Sequence, residues 1–173
     1  MIYPPPPMRH IIGILLQNES GALNRVAGLF TNRGFNIESL SVSATDDPTV
    51  SRITLVTKGS DEVVHQIVSQ LNKLIDVVNV DDMTRGAHVE RELALVKLRL
   101  QAGQKAAVDA ALQAAGGKVL DAEGDLIIAE MTGNESEVTA FIADIAAKAE
   151  LVEVVRSGAL ALARDGRTLR DAP

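Results

Sequence analysis

The sequence predicts an α+β protein of two small domains that share the element order β-α-β-β-α-β. Along the chain, apolar residues switch between the alternation typical of strands and the spacing typical of helices. One set of elements is followed by a second set offset by about 80 residues, without obvious residue identity between the sets. Hydrophobic residues make up 46% of the 173 residues, which is enough for a buried core.

The first domain begins with a strand and a helix. Residues Arg9–Gln17 are apolar on both alternating sets, as in a strand that is covered on both faces or central in a sheet. Gly34 ends the helix that follows. The apolar stripe of this helix has helical spacing and consists of Leu23, Val26, Ala27 and Phe30.

A hairpin, a second helix and a last strand complete the first domain. Strands are predicted at Phe35–Ala44 and Ser51–Lys58, because Asp and Pro residues between them form a turn. Ser60 is a suitable N-cap for a second amphipathic helix. The short apolar run Val77–Val80 is the final strand.

The second set repeats this order. Its helices are expected at Lys105–Ala115 and after a capping box at Asn134–Glu137. Units of this order fold as a four-stranded antiparallel sheet with two helices on one face, the ferredoxin-like arrangement. Its strands are predicted at Glu92–Leu100, Lys118–Leu120, Leu126–Met131 and Leu151–Val155, with an apolar edge segment at Ser157–Ala163.

These elements set the expected domain limits. An extended Pro-rich arm is predicted at 1–7, because Pro4–Pro7 favour polyproline conformation, and whether Met1 or Met8 is the start stays open. The expected limits of the other parts are 8–84 for the first domain, 85–92 for a connector that starts the second domain, 93–164 for the second domain and 165–173 for a polar tail.

Composition excludes several classes of function. A net charge of −6 argues against nucleic acid as a partner, and the basic residues after Arg164 are interpreted as a solvated terminus. The absence of cysteine excludes disulfides and thiol catalysis. No apolar run approaches the roughly 20 residues of a membrane span, and no signal segment is recognised. A soluble cytoplasmic protein is expected.

The most informative stretch is Asn18–Val26, where a buried strand enters a polar turn containing Gly21 and a helix starts at once. The unpaired N–H groups of a helix N-terminus suit a small anion, such as the carboxylate of a free amino acid. Asn18 and Asn36 both fall at element boundaries beside this loop. Each amide can donate and accept, which suits a zwitterion. Ordinary turn residues remain the alternative for both asparagines and for Gly21.

No other residues form a convincing catalytic or metal site. The three histidines His10, His65 and His88 lack the spacing of metal ligands. The acidic pairs Asp46–Asp47 and Asp81–Asp82 are interpreted as a turn and a solvated strand end. No serine has a recognisable histidine and acid, and no glycine-rich phosphate loop is present. The chain is therefore predicted to sense a small molecule and not to catalyse a reaction.

Two sets of motifs resemble known families. Asn18–Leu23 together with Gly34–Leu40 resembles the amino-acid-binding ACT domain, with Ser20 where many ACT domains have proline. Three further stretches extend the resemblance from Arg9 to about Arg164, and they resemble the small regulatory subunit of acetolactate synthase (acetohydroxyacid synthase). These stretches are Thr45–Arg52, Gly86–Glu92 and Val154–Gly158.

The resemblance implies a subunit without catalytic residues, cofactor or metal of its own. It would activate a catalytic large subunit that uses thiamine diphosphate, Mg and FAD, and it would confer feedback inhibition by valine, with leucine or isoleucine as other effectors. A homodimer through the ACT domains would hold the effector. The implied effector-binding residues are Asn18, Glu19, Ser20, Gly21, Ala22 and Leu23 in the loop, and Asn36 and Ile37 on the facing strand start.

Three alternatives compete with this interpretation. The nearest is a stand-alone ACT-domain sensor that regulates a different biosynthetic enzyme. An acylphosphatase on the same fold needs a phosphate-binding loop with an arginine, which Asn18–Gly21 lacks. An RNA-binding domain needs aromatic residues on the sheet, and Phe35 alone does not supply them.

Overall fold

The structure is a computed structural model that describes residues 8–170. The predicted Pro-rich arm and the last three residues of the predicted tail lie outside the described residues. Four strands and two helices form the first set of elements. They are β1 (Met8–Gln17), α1 (Ala22–Arg33), β2 (Ser39–Ala44), β3 (Val50–Gly59), α2 (Asp61–Leu71) and β4 (Val77–Asp82).

The second set follows the same order and adds one strand. Its elements are β5 (His88–Arg99), α3 (Lys105–Ala114), β6 (Lys118–Glu123), β7 (Leu126–Gly133), α4 (Glu135–Ala146), β8 (Glu150–Arg156) and β9 (Leu160–Ala163). The predicted fold class of two ferredoxin-like βαββαβ domains is confirmed. The predicted strand at Phe35–Ala44 begins later, at Ser39, so that Asn36 and Ile37 lie in the loop that precedes it.

The first sheet has the strand order β2-β3-β1-β4, and the pairs of neighbouring strands are antiparallel. Because side chains alternate along a strand, one face of β1 and β3 packs against the apolar stripes of α1 and α2. The buried residues of this core are Ile12, Ile14, Leu16, Ala22, Val26, Phe30, Ile53, Leu55, Val64, Ile67 and Leu71.

Local signals at the helix ends agree with the sequence. Gly34 ends α1 in a left-handed conformation with φ of 68°. The Ser60 side chain accepts a hydrogen bond from the Val63 N–H at the start of α2. At α4, Asn134 Oδ1 accepts from the Glu137 N–H at 2.9 Å, and Glu137 Oε2 accepts from the Asn134 N–H at 2.7 Å. The predicted capping box is confirmed.

The second sheet has the strand order β6-β7-β5-β8. Its core is entirely aliphatic except for Phe141, as the low aromatic content of 2% requires. The buried sheet residues that face the helices alternate along β5 and β7, and they are Ala94, Val96, Leu98, Ile127, Ala129 and Met131.

The chain divides into two compact units, one that runs to Val89 and resumes at Ala159, and one that spans Glu90–Gly158. This grouping differs from the predicted limits, which placed residues up to 164 in the second domain and the rest in a polar tail. The physical reason is an apolar patch on the face of the first sheet opposite its helices. Ala159 and Ala161 are buried there and pack against Ile11, Val56 and Met83.

The residues after β9 continue across the same face of the first sheet. Leu169 is only 6% exposed, and its Cδ1 lies where a side chain on Gly13 would be. Arg52 Nη2 donates to the Ala161 carbonyl at 2.8 Å, and Asn79 Nδ2 donates to the Leu169 carbonyl at 3.1 Å. Leu169 is therefore packed against the first sheet, whereas residues 164–168 and Arg170 are exposed.

Candidate functional site

The loop after β1 presents unpaired backbone donors. Gly21 has a φ of 86° and directly precedes α1, without a side-chain cap. The Ala22 N–H donates to the Glu19 carbonyl at 3.2 Å, whereas the N–H groups of Leu23 and Asn24 have no acceptor among residues 8–170. These two donors lie at the N-terminus of α1, which is the positive end of the helix dipole. The first turn of α1 can therefore hold a carboxylate.

The side chains of this loop differ in what they offer a ligand. Asn18, Glu19 and Ser20 are exposed, and Leu23 is 39% exposed. Ala22 is 1% exposed and belongs to the core, so its side chain and its bonded N–H are both used within the protein. The direct role that the resemblance implied for Ala22 is thus limited to the backbone shape of the loop.

Asn18 joins the loop to the turn between β2 and β3. Its N–H donates to the Thr49 carbonyl at 2.8 Å, and its Nδ2 donates to the Pro48 carbonyl at 3.0 Å. A carbonyl oxygen only accepts, so the NH₂ group of the amide faces Pro48. The Asn18 amide oxygen makes no hydrogen bond within the described chain and can accept one from an ammonium group.

An ion pair between Arg25 and Asp76, which the sequence pattern does not indicate, supports this loop. Arg25 binds the Asp76 carboxylate through both Nε and Nη2, the latter at 2.7 Å. Asp76 is 3% exposed, and its carbonyl accepts the Gln17 N–H at 2.8 Å. The hydrogen bond from Arg25 lowers the pKa of Asp76, despite the opposing effect of desolvation. A Cβ on Gly21 would lie 3.2 Å from Arg25 Nη1, so the guanidinium packs closely beneath the loop.

Asn36 and Ile37 lie at the other end of the same sheet. Thr57 Oγ1 donates to the Asn36 carbonyl at 2.6 Å, and Thr57 pairs with His10 near the start of β1. The loop at Asn18 instead bonds Thr49. Eight residues of extended chain separate Thr49 from Thr57, which corresponds to about 26 Å.

The interpretation that Asn36 lies beside the Asn18–Gly21 loop within one chain is therefore wrong. The strand order explains why: β2 runs antiparallel to β3, which runs antiparallel to β1, so the start of β2 lies beside the start of β1. Ile37 is half-buried against the core under the helices.

Two of the three histidines and the Asp47 carboxylate have partners within the chain. His10 is buried with its Nε2 3.2 Å from the Gly59 carbonyl, His65 is exposed, and His88 Nδ1 lies 2.9 Å from the Gly86 carbonyl. The Asp47 carboxylate accepts two hydrogen bonds from Thr49. Among residues 8–170, no group of three His, Asp or Glu side chains is placed to hold a metal ion.

The helices of the described chain are also short. None of them is both long and apolar enough to cross a membrane.

Comparison with known proteins places these features in a family. Residues 12–79 match the model of the AHAS small subunit-like ACT domain, and residues 91–165 match that of the small subunit of acetolactate synthase. The acetolactate synthase isozyme 3 small subunit of Escherichia coli is 45% identical over 94% of this chain and 100% of its own length. The probable acetolactate synthase small subunit of Archaeoglobus fulgidus is 39% identical over 92% and 99%.

A solved structure agrees with these matches. The crystal structure of the acetolactate synthase small subunit from Thermotoga maritima is 34% identical, covers 92% of this chain and 99% of that chain, and superposes with a TM-score of 0.84. Fold and matches define a protein with an N-terminal ACT domain and a second ferredoxin-like domain. The chain belongs to the family of acetolactate synthase small subunits, which confirms the resemblance in the sequence.

Proposed function

We propose that this chain is a regulatory subunit of acetolactate synthase that activates the catalytic large subunit and makes it sensitive to valine. The large subunit, with its thiamine diphosphate, Mg and FAD, carries out the condensation of 2-oxo acids. The similarity to acetolactate synthase small subunits of Escherichia coli and Archaeoglobus fulgidus supports the assembly with acetolactate synthase. The observation that carries effector binding is the first turn of α1, where the N–H groups of Leu23 and Asn24 lack acceptors inside an ACT domain.

The chemistry of a free amino acid matches the groups available. The carboxylate is received by the N–H groups of Leu23 and Asn24, and the ammonium is received by the amide oxygens of Asn18 and Asn36. The exposed side chain of Leu23 and the half-buried Ile37 supply apolar contact for the branched side chain. Valine, leucine and isoleucine differ by methyl groups that contribute about 1–3 kcal/mol each in such a pocket.

Two copies of the chain are needed to complete this site. Within one chain Asn18 and Asn36 bond to opposite ends of β3, about 26 Å apart, which no free amino acid spans. We therefore assign the loop to one protomer and Asn36 to its partner. In a two-fold pair of ACT domains, each loop meets the partner's Asn36 once, which gives two equivalent sites. The edge strand β2 leads from Asn36 and provides backbone groups for such pairing.

A mixed-dimer experiment tests this proposal. Gly21→Asp and Asn36→Ala chains are prepared with different affinity tags, and the hetero-pair is purified through both tags. In the proposed arrangement, the hetero-pair has one site with both substitutions and one site with neither. Calorimetric titration with valine should give half the wild-type stoichiometry with wild-type affinity, whereas each homodimer should show strongly weakened binding.

The same samples are assayed with the large subunit for acetolactate formation across a valine titration. Activation without valine should be equal for all pairs, because the substitutions lie at the effector site. A hetero-pair that binds valine as poorly as both homodimers would place each site within one chain. A wild-type protein that binds none of the three branched-chain amino acids would contradict the proposed function itself.

A further inference from the structure

The side-chain amide of Asn36 is held in one orientation by a carboxylate. Asn36 Nδ2 donates to Glu38 Oε1 at 2.8 Å. Because an ionised carboxylate only accepts hydrogen bonds, the group that faces Glu38 must be the NH₂ and not the amide oxygen. The Asn36 backbone is fixed independently, since its carbonyl accepts from Thr57 Oγ1 at 2.6 Å and Thr57 is buried.

Glu38 is itself held in place. Its Oε2 lies 3.2 Å from Lys58 Nζ on the neighbouring strand, and its N–H donates to the Val56 carbonyl at 2.8 Å. The hydrogen bond from Asn36, and then the ion pair with Lys58, hold the pKa of Glu38 below its usual range. Glu38 therefore remains an ionised acceptor at neutral pH.

The consequence concerns the oxygen of the Asn36 amide. It makes no hydrogen bond within the described chain, so the lone pairs of this oxygen are available to a donor from outside. Asn18 repeats the arrangement, because the Pro48 carbonyl takes its NH₂ group. In this orientation each asparagine uses one of its two N–H donors within the chain and keeps its amide oxygen as an acceptor, which favours an ammonium as the ligand group.

We propose that Glu38 is a positioning residue for effector binding, which fixes the Asn36 amide so that its oxygen meets the ammonium of the bound amino acid. This inference rests on the proposed function, because it assigns a residue to that same site. Lys58 keeps the carboxylate in place. Without the Glu38 acceptor, the described chain no longer holds the NH₂ group away from the ligand, and the hydrogen bond from the ammonium to the Asn36 oxygen is lost when the amide turns.

The full-length chain tests this by calorimetric titration with L-valine. Glu38→Ala should weaken valine binding about tenfold, the usual effect of losing one hydrogen bond to a charged group. Glu38→Gln should remain within about threefold of wild type, because its amide oxygen can still accept from Asn36. The matched control is Glu153→Ala, which removes another cross-strand ion pair, that of Glu153 with Lys97 at 3.2 Å, and should not change valine affinity.

A double-mutant cycle separates orientation from other effects. In an Asn36→Ala background, Glu38→Ala should change valine affinity by less than about twofold, since its target is absent. An effect as large as in the wild-type background would overturn the proposal, as would equal losses in Glu38→Gln and Glu38→Ala. If the wild-type chain binds no valine, the proposed function itself fails. That outcome differs from the two results above, which would overturn only the role of Glu38.

A measurement on the wild-type protein does not depend on how the variants fold. In an acid titration followed by NMR, the Asn36 side-chain NH₂ signals should move as Glu38 protonates, with a midpoint below the ordinary pKa of glutamate. If the chemical shifts of the Asn36 NH₂ signals do not change as Glu38 protonates, Glu38 does not hold the amide, and the inference is overturned.

Discussion

Replacing Gly21 by aspartate tests the proposed effector-binding loop, Asn18–Leu23, most directly. Gly21 has a φ of 86°, in the left-handed region that side chains disfavour. A Cβ at this position meets only Arg25, whose Nη1 would lie 3.2 Å away. The Arg25 guanidinium, which Asp76 holds through Nε and Nη2, must shift by a few tenths of an ångström to admit this Cβ. The protein should therefore fold, with a strained loop and a carboxylate beside the N–H groups of Leu23 and Asn24.

Two contributions set the expected magnitude. A left-handed residue other than glycine costs roughly 1–2 kcal/mol of folding free energy, and Gly21→Ala shares this cost. The added charge acts on the ligand. At about 5 Å from the valine carboxylate, with an effective dielectric constant between that of a protein surface and water, repulsion is about 1–3 kcal/mol. Valine binding should therefore weaken by roughly 5- to 150-fold beyond the effect of Gly21→Ala.

The assay is acetolactate formation by large subunit reconstituted with wild type, Gly21→Ala or Gly21→Asp, across a valine titration. Gly21→Asp should shift the inhibition curve to much higher valine and leave activation without valine unchanged. Gly21→Ala should shift the curve less, and thermal unfolding should show similar stability for both variants. An inhibition curve for Gly21→Asp that coincides with that of wild type would refute the placement of the carboxylate at this loop.

Three further outcomes are expected. Asp76→Asn should lower the free energy of unfolding at pH 7, because the pKa of Asp76 is lowered by Arg25 in the folded protein and the ionised carboxylate therefore stabilises the fold. This stabilisation is lost as the carboxylate protonates, so the difference in stability between variant and wild type should narrow below about pH 4. Urea unfolding at pH 7 and pH 3 measures the difference. Leu169→Ala should cost about 2–3 kcal/mol in the same assay, whereas no loss would show that this segment is a solvated tail. Asn134→Ala should cost about 1 kcal/mol through the lost cap of α4, and an unchanged unfolding midpoint would contradict that.

Local chemistry explains what the sequence predicts well. A helix cap is a contact between residues three positions apart. Ser60 and Asn134 could therefore be predicted as N-caps from the neighbouring residues alone. The same holds for the left-handed Gly34 and for Val26 and Phe30 in the apolar stripe of α1, whereas Leu23, which was expected in that stripe, is 39% exposed. The element order follows from such signals, and with it the ferredoxin-like topology.

Contacts between distant residues had no such signal. Arg25 and Asp76 are 51 positions apart, and nothing in either neighbourhood indicates the other. The return of Ala159–Arg170 to the first sheet depends on an apolar patch that exists only once β1 and β3 have paired. The position of Asn36 failed for a related reason, since closeness to the start of a strand does not say which end of the sheet that start occupies.

The distance between the loop and Asn36 within one chain has a consequence for the proposed regulation. In the proposed dimer, neither half of the site binds the effector fully, because the loop holds the carboxylate and the partner's Asn36 side chain holds the ammonium. An effector that requires both halves binds the pair more tightly than the single chain. Linkage then demands that valine strengthen self-association by the same free energy. In the proposed dimer, the placement of Gly21 and Asn36 at opposite ends of one sheet would make effector sensing a property of the assembled pair.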